Sequence, residues 1–306
     1  MKELIVDILK VVAPLSVALI VFAQGLAIAP SLVASYFKKQ PGLLLRALVG
    51  TVVLVPAAAL ALILVLKPAP GVAIGLAILV ACPPAPLMFR TAPKKGAANP
   101  AFMASLHLSL AALAFLTVPA VLYLISRPLG FNADVDLGPV LWILARTIVI
   151  PIGLGLIARG FFPGFADRFG PVLGKAANIG ILVVVLFVLG SSYSTLLNMD
   201  LWSYVVIAAC SLVALAIGHL VGPHDPQQRT SLAVECAVRH PMVAITIAVA
   251  NFNPQKALPV LIPCILTFMA IATVYLSLRG RSLAATKPAD AILGAEPLAT
   301  RKAGAP

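Results

Sequence analysis

One short stretch near the C-terminal end gathers the side chains best able to do chemistry: Glu235, Arg239 and His240, followed at once by Pro241. A carboxylate, a guanidinium and an imidazole this close can bind an ion, clamp an anion or carry a proton. Their setting narrows the choice, because apolar residues run for about ten positions on either side, enough together for one membrane crossing of roughly 20 residues. A charge at mid-depth costs about 2.5–3.5 kcal/mol on insertion scales. Pro241 also removes a backbone donor that something nearby must replace. Ionisable groups beside broken backbone at the midplane are the pattern of a transport site. Arg239 follows Glu235 by four residues, so on a continuous helix the two would form an acid-then-base pair on one face. Such a pair serves either as a fixed internal cation or as simple neutralisation of a buried Glu.

The elements that must position this stretch are legible from composition. Of 306 residues 61% are hydrophobic and 10% charged, and the mean hydropathy is +1.06. That describes an all-α integral membrane protein surrounded by a lipid bilayer, not a water-soluble domain. The net charge is +12, but Lys and Arg are scattered over short loops, which argues against nucleic acid as a partner. Cys82, Cys210, Cys236 and Cys264 all fall inside apolar segments and suggest no disulfide framework. The first apolar run, Leu4 to Ile28, is too long for a signal peptide and reads as a first span.

Hydropathy with Pro and Gly punctuation predicts nine spans, at about 4–29, 42–66, 70–92, 99–125, 138–159, 173–197, 201–222, 229–251 and 255–278. With these alternating, Lys38, Lys39, Lys95, Arg159, Arg229 and Arg279 fall on one side, and Asp134, Asp136 and Asp200 on the other. The rule that basic loops stay inside puts the N-terminus outside and the C-terminus in the cytoplasm of a cell membrane, a bacterial inner membrane on this reading. Residues 1–279 form the transmembrane domain, and 280–306 read as a disordered cytoplasmic tail.

Span three repeats the theme of span eight. Its apolar half, Gly71 to Ala81, runs into Cys82-Pro83-Pro84-Ala85-Pro86 before continuing at Leu87, and such a cluster ends a helix. Each broken span is preceded by two unbroken ones and followed by one. A related run also recurs, Val21-Phe-Ala-Gln-Gly25-Leu in span one and Leu186-Phe-Val-Leu-Gly190-Ser in span six. Spans one to four (4–125) and six to nine (173–278) therefore read as two copies of one unit, linked by span five (138–159). An odd number of helices separates equivalent positions, so the copies lie inverted, and the discontinuous helices three and eight cross at a binding site. Gly25, Gly153, Gly155 and Gly190 are expected to permit close helix packing.

Taken together, the Gln24-Gly25 run, the Lys38-Lys39-Gln40-Pro41 loop, Pro56, Cys82-Pro83, Lys95-Gly96 and Val234-Glu235-Cys236 resemble the bile acid:sodium symporter family in a nine-span form. The resemblance implies a core of spans two to four and seven to nine, a panel of spans one, five and six, and alternating access between them. It also implies two sodium sites built from neutral oxygens around the span-eight Glu, and here the chain departs. Side-chain oxygens after the first Cys-Pro are replaced by Pro84-Ala85 and Met88-Phe89. The hydroxyl ligands of span four align with Met103 and His107, the Gln of span two with Thr51, and the Gln and Asn of span eight with Arg239 and His240. Glu235 survives, Thr51 keeps an oxygen, and no other metal site is indicated.

The leading expectation is a secondary transporter of a small or medium organic anion, not coupled to sodium in the usual way because Arg239 stands where a sodium ligand would. The resemblance leaves sodium in doubt; His107 and His240 keep a proton open as coupling ion, against a hydrogen-bonding or lining role. Arg146, in span five, either adds positive potential to the cavity or snorkels to the headgroups. Ordinary sodium symport is the alternative. A non-transporting sensor and an intramembrane enzyme, with Glu235 and a His as acid and base, are further ones. No nucleophile elbow, Asp-rich motif or zinc-binding His pair speaks for catalysis, and no cofactor is implied. Oligomeric state is not readable from the sequence.

Overall fold

Proline does most of the punctuation. In the computed structural model, which describes residues 2–28, 38, 41–85, 92–93, 95–130, 137–251 and 254–285, every regular element is a helix. The helices are α1 (Lys2–Ala27), α2 (Pro41–Leu66), α3 (Pro70–Ala81), α4 (Pro100–Ser126), α5 (Gly138–Phe161), α6 (Pro163–Asn198), α7 (Leu201–Val221), α8 (Pro226–Ala237), α9 (Pro241–Asn251) and α10 (Pro254–Ala285). Seven of them begin on a proline, whose missing N–H costs nothing in a first turn and whose fixed φ suits a helix start. Side-chain caps reinforce three starts: Asn99 accepts from Phe102 N–H, Asp200 from Ser203 N–H and Asp225 from Gln228 N–H. At Asp200, hydrogen bonds from the Ser203 hydroxyl and then the Ser203 main chain hold the carboxyl below the usual carboxylate range.

Six of the described helices are long and apolar enough to cross a membrane, namely α2, α4, α5 and α7 with the apolar stretches of α6 and α10. The protein is thus an integral membrane protein. Two helices overrun their expected bounds. The span expected from 173 is a helix from Pro163, whose amphipathic first turns stack Phe165 on Phe169 at 4.8 Å and bring Asp167 to Arg159 at the end of α5. Hydropathy alone misses such an amphipathic turn. At the other end, α10 runs on to Ala285, past the expected start of the tail at 280, because Lys95 Nζ donates to Ser277 Oγ and the chain at Lys95 packs directly on Gly280. The remaining tail lies outside the described residues.

Prolines inside helices leave a different mark. In α2 the turn Val49–Leu54 is widened, with Val55 N–H bonded to Gly50 O, and in α5 the turn Ala145–Val149 is widened, with Ile150 N–H bonded to Ala145 O. Each wide turn directly precedes an X-Pro step, Val55-Pro56 or Ile150-Pro151. A proline ring would collide with the carbonyl four residues back in a regular helix, and the wider turn makes room.

α1 packs chiefly on α5 and α6, whereas α2, α3, α4, α7, α8, α9 and α10 pack mainly among themselves. The first group closes on glycine: a Cβ on Gly25 would lie 2.7 Å from Ile152 O and 2.9 Å from Gly155 Cα. Gly153 and Gly190, expected to do the same, face open space. Close packing of α7 on α8 rests instead on Gly218, where a Cβ would meet Ala233 Cα at 2.6 Å.

Candidate functional site

The two chain breaks meet. α3 ends at Ala81 because Pro83 and Pro84 cannot supply the N–H groups its last carbonyls need, and Cys82 turns to an extended conformation. α8 ends at Ala237, and Val238 is extended before α9 starts on Pro241. The extended segments pair antiparallel, with Pro84 opposite Arg239. Ala85 N–H donates to Val238 O at 3.0 Å, and His240 N–H donates to Pro83 O at 2.7 Å. Backbone groups freed by each break are thereby satisfied by the other, the condition for irregular backbone at membrane depth.

This geometry overturns the expected Glu235–Arg239 pair. Four residues on a continuous helix would have aligned them, but the helix stops at Ala237, and the extended Val238–His240 segment swings Arg239 away. Both of Glu235's oxygens face His107 instead, with Nδ1 at 3.1 and 3.3 Å. Glu235 is 1% exposed and His107, on α4, 3%. Arg239, 4% exposed, sends its two terminal nitrogens to main-chain carbonyls: Cys82 O at 3.2 Å and Thr51 O at 3.0 Å.

Both acceptors exist because prolines removed their ordinary donors. In the widened turn of α2, Val55 N–H goes to Gly50 O, and the next donor in line for Thr51 O would come from residue 56, a proline. Cys82 O lies at the end of α3, where helix carbonyls carry partial negative charge. The guanidinium therefore ties α2, the end of α3 and the second break together.

The remaining predicted residues divide. His240 caps α9: its Nδ1 accepts a long 3.5 Å bond from Val243 N–H, and its Nε2 is buried without a partner. Thr51 contributes its main-chain oxygen to Arg239, while its hydroxyl lies 3.5 Å from Cys236 Sγ. Met103 is fully buried one turn before His107. Pro83 and Pro84 form the first break, and Pro241 opens α9. Arg146 does not join the cluster; it is exposed in the widened turn of α5. Pro86, Met88, Phe89 and Arg90 lie outside the described residues. The four cysteines are buried and free, and among the described residues no group of three His, Cys, Asp or Glu side chains could share a metal ion.

A family model described as the sodium bile acid symporter family matches residues 14–199. The chain belongs to the sodium bile acid symporter family. The match takes in α1 to α6 and the first break. Comparison with curated proteins gives no match. Membership makes this a multi-pass membrane transporter of the bile acid/sodium symporter type, carrying a solute and acting as a secondary transporter; the family is one of transporters, not of enzymes. Glu235 and Arg239 lie beyond the matched stretch, so in this symporter-family chain their surroundings are described by geometry alone.

Sequence reasoning missed the two carbonyls that hold Arg239. The signal was present in the sequence at Pro56 and Pro86, the residues whose N–H would otherwise have been next in line for Thr51 O and Cys82 O.

Proposed function

We propose that this transporter moves a small or medium organic anion by alternating access without coupling to sodium in the usual way, a tethered guanidinium standing where a sodium ion would bind. The observation that carries the reading is the pair of bonds from Arg239 to Thr51 O and Cys82 O. Uncharged oxygens converging at a helix break are what a hard cation needs, and here a fixed cation already occupies two of them. Glu235 is turned to His107 and does not face that position. The same substitution leaves positive charge at the midplane, which favours an anionic solute.

On this reading α1, α5 and α6 form a panel and the other helices a core containing both breaks, arranged as two inverted units, and movement of one body against the other exposes the crossing to each side in turn. The packing groups described above support that division. The N-terminus is outside, following the basic loops.

Thermal stability of the purified protein in sodium against choline, at matched ionic strength, tests the reading without knowledge of the solute. A ligand that binds only the folded state stabilises it by RT ln(1 + [L]/Kd). The wild type is expected to ignore sodium, and Arg239→Gln to gain a sodium-dependent rise in Tm. Sodium stabilisation of the wild type, or uptake driven by a sodium gradient in proteoliposomes, would return the protein to ordinary sodium symport.

A further inference from the structure

A second polar cluster sits apart from the breaks, where α7 ends, α8 begins and α10 nears its end. His219 is in the last turn of α7, Arg229 and Thr230 lie near the start of α8, and Tyr275 and Arg279 come from α10. His219 Nδ1 lies 3.0 Å from Tyr275 Oη. Arg279 donates from Nε to Thr230 Oγ1 at 3.3 Å, and Arg229 from Nε to Pro223 O at 3.0 Å. Both guanidiniums are close enough to His219 and Tyr275 to act electrostatically on each. Two like charges are thus brought to one spot. Among the described residues neither Arg forms an ion pair. Asp225, the acid nearest in the chain, accepts from Gln228 N–H, and one carboxylate against two guanidiniums leaves the patch positive.

The surroundings of the cluster say what fits it. His219, Arg229, Tyr275 and Arg279 are all half-buried, so the patch is open on one side. Next to them in the chain, Leu220, Val274 and Leu278 are exposed, large apolar side chains near the ends of two helices that are apolar enough to cross a membrane. Leu278 follows Tyr275 by three residues and so shares its side of α10. The bonds that fix each guanidinium use Nε, and the two terminal nitrogens form the fork that matches two oxygens of a phosphate. A basic pocket between membrane helices, flanked by apolar side chains, suits a guest with an anionic head and an acyl chain.

We propose that the adjoining ends of α7, α8 and α10 bind the phosphate group of an anionic lipid. Arg229 and Arg279 hold its oxygens, and Leu220, Val274 and Leu278 lie along the acyl chains. Free phosphate shares the charge but not the chains, so the apolar flank decides for lipid. Bound there, the lipid clasps three helices of the group that contains both breaks. The inference goes beyond the transport reading and uses none of the residues on which that reading rests.

The test uses the full-length protein in detergent micelles with a fixed fraction of lipid, dioleoylphosphatidylcholine being replaced stepwise by dioleoylphosphatidylglycerol at constant ionic strength. The expected result is a saturable rise in thermal stability, about 10-fold in the folded-to-unfolded ratio when the anionic lipid reaches 10 times its half-saturating fraction. Arg229→Gln combined with Arg279→Gln is expected to lose the response. Arg168→Gln, a charge loss on α6 where Arg168 lies over the Phe169 ring, is expected to keep it. Should the double variant fail to fold, Arg279→Lys, which keeps the charge without the fork, is expected to weaken binding severalfold. Inorganic phosphate in place of the anionic lipid is expected to give no comparable rise. A wild type equally stable in the two lipids, a response unchanged by the double substitution or by Arg279→Lys, or one lowered as much by Arg168→Gln, overturns the proposal. A full response to inorganic phosphate overturns the lipid as the source of the phosphate group. These outcomes leave the transport reading standing, whereas sodium stabilisation of the wild type would overturn that reading without touching the lipid result.

Discussion

The two breaks solve the same problem by opposite means. The first, around Cys82–Ala85, is made by prolines and carries no charge; deleting N–H groups leaves carbonyls that look for donors. The second, Val238–His240, carries a guanidinium and an imidazole and supplies donors: main-chain N–H from His240 and side-chain N–H from Arg239. Pairing them closes most of the hydrogen-bond account at membrane depth. The difference teaches where damage should fall. Acceptors are cheap to offer, because any proline creates them, whereas a buried charge must be held by particular partners.

The largest effect is expected one turn before the second break. His107→Ala leaves the Glu235 carboxylate buried with no partner to replace Nδ1, and removing one member of a buried pair costs about 3–5 kcal/mol. Glu235→Gln in the same background replaces the stranded carboxyl with an amide and should recover a large part of that loss. Thermal or denaturant unfolding of the four proteins of this cycle checks it. If His107→Ala melts like the wild type, the pair contributes little and the asymmetry between the breaks is lost.

Much of this arrangement was legible beforehand. Six of the nine expected spans and the two interruptions follow from hydropathy and proline, and Glu235, Arg239 and His240 stand out as rare polar residues because a bilayer penalises each exception heavily; the place of His107 and Thr51 beside them was implied by the family resemblance alone. What failed was local pairing. Helix periodicity linked Glu235 to Arg239, but periodicity holds only while the helix lasts, and it stops at Ala237 to meet a segment some 150 residues away in the chain. The receiving carbonyls were invisible for a related reason: a main-chain acceptor has no residue type of its own. Only the prolines that free it can be read, and Pro56 matters through a widened turn that hydropathy does not register. For Arg146 the sequence leaves two faces open, since a span's hydropathy does not say which one a single Arg takes, and its exposed position agrees with the outward reading.

Pro56 permits a sharper trial of that account. Arg239→Gln should cost about 1–3 kcal/mol for each carbonyl left without a donor. Pro56→Ala returns a main-chain N–H at the position where Thr51 O lacks one, so in that background Arg239→Gln should cost less, with a coupling of about 1 kcal/mol. Strict additivity of the two substitutions, measured by thermal unfolding, would mean that Thr51 O does not depend on the missing donor, and the link from proline to guanidinium would break.

The smallest effect is expected at His240, and it separates two roles that the second break combines. The ring caps α9 through a long bond from Val243 N–H, while its other nitrogen has no partner. Asn is a strong N-cap with a short reach, so His240→Asn should keep the cap and change stability little, whereas His240→Ala should lose about 0.5–2 kcal/mol. Solute counterflow in proteoliposomes then provides the second axis. If transport follows the melting temperature across both variants, His240 serves the fold of the break alone. If His240→Asn melts like the wild type yet stops counterflow, the imidazole itself takes part in transport, and the second break differs from the first in chemistry as well as in hydrogen bonding.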